Sequence, residues 1–173
     1  SKGWYEHNGE RFLIKGNTKN HLEPYSEVMA SRIAILLGLE AMEYGLVEAH
    51  HYPEIKKFNI PHLSICKTYM EESINQSVSA SKYIDAYYGK PVLDFWTAYL
   101  KSNLSAVRLF QMLTFDAFVG NTDRHLNNWD ILVYNSGEVK EAPLIDSGAS
   151  LLSQYNINDL NTNWKLGPDK SKP

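Results

Sequence analysis

Gly120-Asn121-Thr122-Asp123-Arg124-His125-Leu126-Asn127-Asn128 is followed, after two runs of β-forming residues, by Asp146-Ser147-Gly148, and the reading of these residues decides the fold. The first segment is polar and lies between an apolar helical pattern ending at Gly120 and the run Trp129–Tyr134. Loops held between rigid elements are where reactive groups are commonly mounted. Trp129–Tyr134, a turn at Asn135-Ser136-Gly137 and Val139–Ile145 together predict a hairpin. The chain therefore leaves Asn128, reverses once and comes back with Asp146.

Working upstream, Ser105–Val119 predicts a helix carrying Val107, Phe110, Gln111, Leu113, Thr114, Ala117 and Phe118 as a wide apolar stripe, expected at the centre of its lobe. Two further helical patterns, Ser81–Tyr88 and Pro91–Lys101, precede it, with Tyr87, Tyr88, Trp96 and Tyr99 expected to pack the core. Ser73–Ser81 is polar and reads as a turn-like connector. Nearer the start, Trp4–His7 and Arg11–Lys15 flank Asn8-Gly9, a strong short-range hairpin signal. Pro24 suits a first helical turn, and Val28, Ala30, Ile33, Ala34 and Leu37 recur at helical spacing up to Gly38. Tyr44–Tyr52 and His62–Tyr69 predict strands. The expected fold is α+β and two-lobed: residues 1–72 form a small antiparallel sheet with one packed helix, and residues 73–173 form a mainly helical lobe carrying the polar loop and hairpin. Both ends break off without completing an element, so a fragment or trimmed chain is expected.

The chemistry follows from residue types and order. Asp123 and Asn128 are five positions apart, as are the Asp and Asn of the kinase catalytic loop H-R-D-x-x-x-x-N. There the Asp accepts a hydroxyl proton and the Asn offers a neutral oxygen to Mg²⁺. A second metal-binding carboxylate is expected after a hairpin, where Asp146 stands. Triphosphate oxygens repel an attacking oxygen, and a hard cation held by oxygen ligands offsets that charge. Lys15 ends a strand as does the lysine of V-A-I-K, and Glu27 lies on the next helix. Taken singly, each residue also has a plain structural role. Asp146 can be a turn aspartate, Lys15 a solvated strand-end charge, and Glu27 a partner of the helix dipole. The order Lys, Glu, Asp, Asn, Asp on the expected elements is what favours a phosphotransferase.

Asn121-Thr122-Asp123-Arg124-His125-x-x-Asn128, followed by Ala142-Pro143-Leu144-Ile145-Asp146-x-Gly148, resembles the HipA family of bacterial serine/threonine kinases, and Glu23–Ala34 resembles the helix after that family's ATP-binding lysine. Gly120-x-x-Asp123-Arg124-His125-x-x-Asn128 is also similar to the distantly related phosphatidylinositol kinases. The HipA-like resemblance spans about residues 4 to 152. It implies ATP and Mg²⁺ as cofactors, Lys15 with its partner Glu27 on the phosphates, Asp123 as catalytic base, and Asn128 and Asp146 on the metal. Lys67-Thr68-Tyr69-Met70 would be the hinge at adenine, with Lys67 and Tyr69 among the nucleotide-binding residues. His125 joins that group as a structural member of the loop, not as a general base. The implied partners are a protein substrate, such as an aminoacyl-tRNA synthetase, and a helix-turn-helix antitoxin if the chain is a toxin. Two departures stand out: no glycine-rich loop precedes Trp4, and only a short stretch follows Leu152 where the family continues with more helices. A lipid or small-molecule kinase with the same centre, and a non-catalytic nucleotide-binding module, are the alternative expectations.

Bulk properties narrow the remaining classes. In 173 residues, 43% hydrophobic content is enough for one core or two modest lobes. A formal net charge of −3 gives no field that would recruit nucleic acid or an anionic membrane. The single cysteine, Cys66, leaves no internal disulfide and fits a reducing compartment, here the cytoplasm. No apolar run approaches the ~18–20 residues that span a bilayer. Neither G-x-x-x-x-G-K-[ST] nor G-x-S-x-G occurs, which argues against a Walker-type NTPase or an α/β-hydrolase. His50-His51 is expected on a strand, where neighbours point to opposite faces and do not share a metal.

Overall fold

The computed structural model describes residues 2–16, 22–52 and 60–155. The first hairpin forms as expected: β1 (Lys2–His7) and β2 (Glu10–Lys15) pair antiparallel, with Lys2 opposite Lys15. Both turn residues, Asn8 (φ 51°) and Gly9 (φ 77°), adopt positive φ, which matches the right-handed twist of the flanking strands. Helix α1 (Glu23–Leu36) has proline in its first turn and ends before Gly38 at φ 74°. Then come β3 (Gly45–Glu48) and β4 (His62–Lys67), completing a sheet of order β1-β2-β4-β3. The strand expected over Tyr44–Tyr52 is thus shorter, and Ala49–His51 is a 3₁₀ turn.

Ser73–Ser81, expected as a turn-like connector, carries a strand. Its core, Ile74–Ser79, is β5 and joins β6 (Asp130–Tyr134) and β7 (Val139–Glu141) in a second antiparallel sheet of order β5-β6-β7. Ile74-Asn75-Gln76-Ser77-Val78-Ser79 has too little apolar content to show strand patterning. Its pairing with β6 holds it extended. The hairpin around Asn135-Ser136-Gly137 forms, but β7 stops at Glu141; Leu144 instead makes a parallel bridge to Ala41. Met42 N–H donates to Leu144 O (3.0 Å) and Leu144 N–H to Glu40 O (2.8 Å), tying the returning strand to the α1–β3 connection.

Helices α2 (Ala80–Tyr88), α3 (Phe95–Leu100) and α4 (Ala106–Val119) are capped by Ser79, Asp94 and Ser105, whose side chains accept from Lys82, Thr97 and Arg108 N–H. The second core gathers Ile84, Phe95, Tyr99, Leu109, Met112, Trp129 and Ile131. Tyr99 stacks on Trp129 (5.4 Å, 10°) and donates to Glu141 Oε1 (2.7 Å). Tyr87, Tyr88 and Trp96, expected in the core, are exposed.

The face of α4 also differs from expectation. Val107, Phe110 and Phe118 are 66%, 57% and 70% exposed, while Leu109, Met112, Phe115, Asp116 and Val119 are buried. Large apolar residues encircle this helix, so spacing alone does not select the buried side. Among the described residues, no helix is long and apolar enough to cross a membrane.

Candidate active site

The site begins with a cation that folding places among acids. Lys15, the last residue of β2, is 8% exposed. Its Nζ lies 2.8 Å from Asp146 Oδ1 and 3.3 Å from Glu27 Oε2, and 5.0 Å over the Tyr44 ring. Burial alone would lower the pKa of this ammonium, but Glu27 and Asp146 outweigh it and hold the pKa above the ordinary lysine value. Burial pushes Asp146 the other way, yet the Lys15 charge and hydrogen bond, helped by Lys2 and Arg124, keep its carboxyl below the usual range. Asp146 sits at φ 60°, a left-handed conformation uncommon for a non-glycine residue and typical of functional sites.

Helix α1 buries polar residues because its partner is the segment after Asp146. Glu27 Oε1 accepts from Ser147 N–H (3.0 Å), and Ser26 Oγ donates to Ser150 O (2.7 Å). Gly148 is required by this closeness: a Cβ there would lie 3.0 Å from Glu27 Oε2 and 3.6 Å from Glu23 O. The Glu27 carboxylate is pinned by Lys15 and Ser147 and cannot swing aside freely. Gly148→Ala is expected to destabilise the chain by about 1–3 kcal/mol, measured as a lower urea midpoint at unchanged slope.

The loop after α4 is organised by a buried ion pair. Arg124 Nε and Nη2 donate to Asp116 Oδ2 (2.8 Å) and Oδ1 (3.1 Å), with side chains only 6% and 7% exposed. The same guanidinium donates from Nη1 to Asn128 O (2.5 Å) and Ile145 O (2.8 Å), and from Nη2 to Ser147 Oγ (3.4 Å). It thereby clamps the backbone of Asn128 to that flanking Asp146. Asn121 Nδ2 adds a bond to Asp116 Oδ1 (2.8 Å), and its Oδ1 accepts from Asp123 N–H (3.1 Å). The sequence signal for this pair is an acid, Asp116, among the apolar residues of α4, eight positions before Arg124 of the loop motif.

Asp123 is exposed, and Asn128 Nδ2 donates to its carbonyl (2.8 Å) and to Oδ2 (3.3 Å). With its amide nitrogen engaged there, Asn128 has its oxygen left to coordinate a cation. Lys15, Glu27, Asp123, Asp146 and Gly148, joined by Lys2, line one cavity of about 300 Å³. Lys2 also lines an adjoining slot of about 160 Å³ with apolar walls from Leu13, Met42, Tyr44, Cys66 and Ile145. A hard divalent cation fits the first cavity by donor chemistry, since the carboxylates of Glu27, Asp123 and Asp146 that line it offer the oxygen ligands it prefers; Asn128 does not line this cavity and adjoins it through its bonds to Asp123.

The other expected residues divide. Lys67 and Tyr69 line the slot, but their polar ends point to protein partners. Lys67 Nζ pairs with Glu10 Oε1 (2.5 Å), and Tyr69 Oη donates to Asp130 Oδ2 (2.5 Å) beside Ser77. Burial, reinforced by that bond, raises the Tyr69 pKa far above the ordinary tyrosine value. His125 lines neither cavity; its Nδ1 accepts from Asn127 N–H (3.2 Å).

Residues 4–172 match the model of the HipA-like C-terminal domain. No curated protein sequence matches the chain. Among solved structures, the crystal structure of a Helicobacter pylori proinflammatory kinase, CtkA, superposes with a TM-score of 0.75 over 95% of this chain at 21% identity. The chain spans 60% of the length of that kinase chain. At this identity the likeness establishes a kinase-like fold.

Proposed function

This chain belongs to the HipA-like C-terminal domain family, and from that premise we propose that it carries an ATP- and Mg²⁺-dependent phosphotransferase centre acting on serine or threonine hydroxyls of proteins. The observation that carries the proposal is Lys15, paired at once with Glu27 of α1 and with Asp146 beyond the hairpin. A lysine so placed is oriented by one acid and can exchange the other for phosphate oxygens. The apolar slot beside Lys2 suits a flat adenine, with the triphosphate running toward Lys15 and Asp146.

Mg²⁺, when bound, supplies neutralisation of the phosphate charge, and Asp146 with Asn128 would hold it. Asp123 lies at the cavity edge, where its carboxylate can take the proton of an incoming hydroxyl. The hydroxyl oxygen forms its bond to the γ-phosphorus as the bond to the β,γ-bridging oxygen breaks, and ADP leaves. Arg124 keeps the two metal-binding residues in register. The division into an ATP-binding lobe over 1–72 and a catalytic lobe over 73–173 belongs to this proposal. So do the expected acceptors and partners, a protein such as an aminoacyl-tRNA synthetase and a helix-turn-helix antitoxin.

Asp123→Asn should fold as the parent does and lower γ-phosphate transfer from [γ-³²P]ATP by roughly 10²–10⁴-fold, the usual contribution of a positioned base. Transfer at the parent rate would overturn the assignment.

A further inference from the structure

His50 and His51 do not sit on a strand. Strand β3 ends at Glu48, and Ala49–His51 turns as a 3₁₀ segment, so the alternation that would send the two rings to opposite faces is lost. The turn is fixed by Ala49 N–H donating to Pro61 O (2.9 Å) and Tyr52 N–H donating to Ala49 O (3.1 Å). Consequently Glu48, His50 and His51 each offer a ligand atom, all within 4.8 Å of one another. The imidazole centroids are 3.9 Å apart, and Glu48 Oε2 lies 3.0 Å from His50 Nδ1. None of the three lines the cavities of the candidate active site.

We infer that Glu48, His50 and His51 form a surface site for a divalent transition metal of the Zn²⁺ class, separate from the phosphotransferase centre. An exposed Glu–His pair alone has little energetic consequence; the second imidazole turns the pair into a three-donor set. Zn²⁺ takes imidazole nitrogen at ~2.0–2.1 Å and carboxylate oxygen at ~2.0–2.2 Å, which places tetrahedral donors about 3.3 Å apart. Contraction to that spacing needs only rotation of exposed side chains on a backbone already held. Two nitrogen donors disfavour Mg²⁺, which demands oxygen ligands and retains its waters, whereas imidazole suits zinc, nickel and copper. Because β3 is an edge strand of its sheet and all three side chains are exposed, the remaining coordination positions face solvent. The site is therefore exchangeable and makes no demand on folding.

The test is calorimetric titration of ZnCl₂ into the full chain, freed of any purification tag, in the presence of millimolar MgCl₂. One Zn²⁺ per chain is expected, and His50→Ala/His51→Ala should weaken binding by at least about tenfold with an unchanged circular dichroism spectrum. Glu48→Gln should weaken it by a smaller factor. Equal isotherms for parent and double variant, competition by Mg²⁺ alone, or no Zn²⁺ uptake by the parent would each overturn the site. None of these outcomes depends on phosphotransferase activity.

Discussion

Asp146→Asn is expected to lower phosphoryl transfer on the order of 10³-fold while leaving the chain folded. The carboxylate does two things in this structure: it pairs with Lys15 and it faces the cavity shared with Asp123. Asparagine keeps the size and a donor–acceptor end, and it tolerates the positive φ of this position. The backbone from Ile145 to Gly148 should hold, because Arg124, Glu27 and the Leu144 bridge bind it independently of the Asp146 side chain. What disappears is the negative charge. Lys15 then retains Glu27 alone, so its raised pKa moves down toward the value burial imposes. The proposed metal loses its anionic protein ligand. Single-turnover transfer at saturating ATP and Mg²⁺ separates this loss from a change in product release. A variant within about threefold of the parent rate would remove Asp146 from the chemistry.

Asp116→Ala should give the largest loss of stability, about 3–5 kcal/mol, because it strands the Arg124 guanidinium in a buried position. Thermal melting at fixed protein concentration would read this as a large fall in Tm. The companion experiment is the double change Asp116→Leu/Arg124→Met. Replacing a buried pair by apolar groups of similar volume is often nearly neutral for stability, so much of the lost stability should return. Transfer should not return with it. Without Arg124 the carbonyls of Asn128 and Ile145 lose their common donor, and misplacement of reacting groups by about 1 Å costs on the order of 10²-fold. Recovery of both stability and transfer would reduce the ion pair to a packing element.

Much of the site was legible because its signals are local. Asn8-Gly9 specifies a turn through the backbone freedom of two residues, and Gly120 and Gly38 end helices for the same reason. Asp123 and Asn128 share one loop, so their spacing survives folding. Lys15 and Glu27 were readable from the elements that carry them. The readings that failed concern faces and pairings. The buried side of α4 is not legible in its apolar spacing because almost every side of the helix is apolar. Strand β5 carries no strand signal of its own because its extended form is imposed by β6, more than fifty residues away. The turn at His50-His51 reads as strand in the sequence because nothing in Ala49-His50-His51-Tyr52 marks where β3 gives way to a 3₁₀ turn.

The polar loop from Gly120 to Asn128 and the returning Asp146-Ser147-Gly148 carry, as sequence, the residues proposed to react and the order in which they stand. Residue chemistry and short-range spacing are properties of the chain itself. Only the tertiary structure decided what holds them together: the Leu144–Ala41 bridge that brings Asp146 to Lys15, the Gly148 gap that admits Glu27, and the Arg124–Asp116 pair beneath the loop. Those depend on groups distant in sequence meeting in a buried space, where desolvation makes each charge need its partner. No local pattern specifies which distant partner that will be.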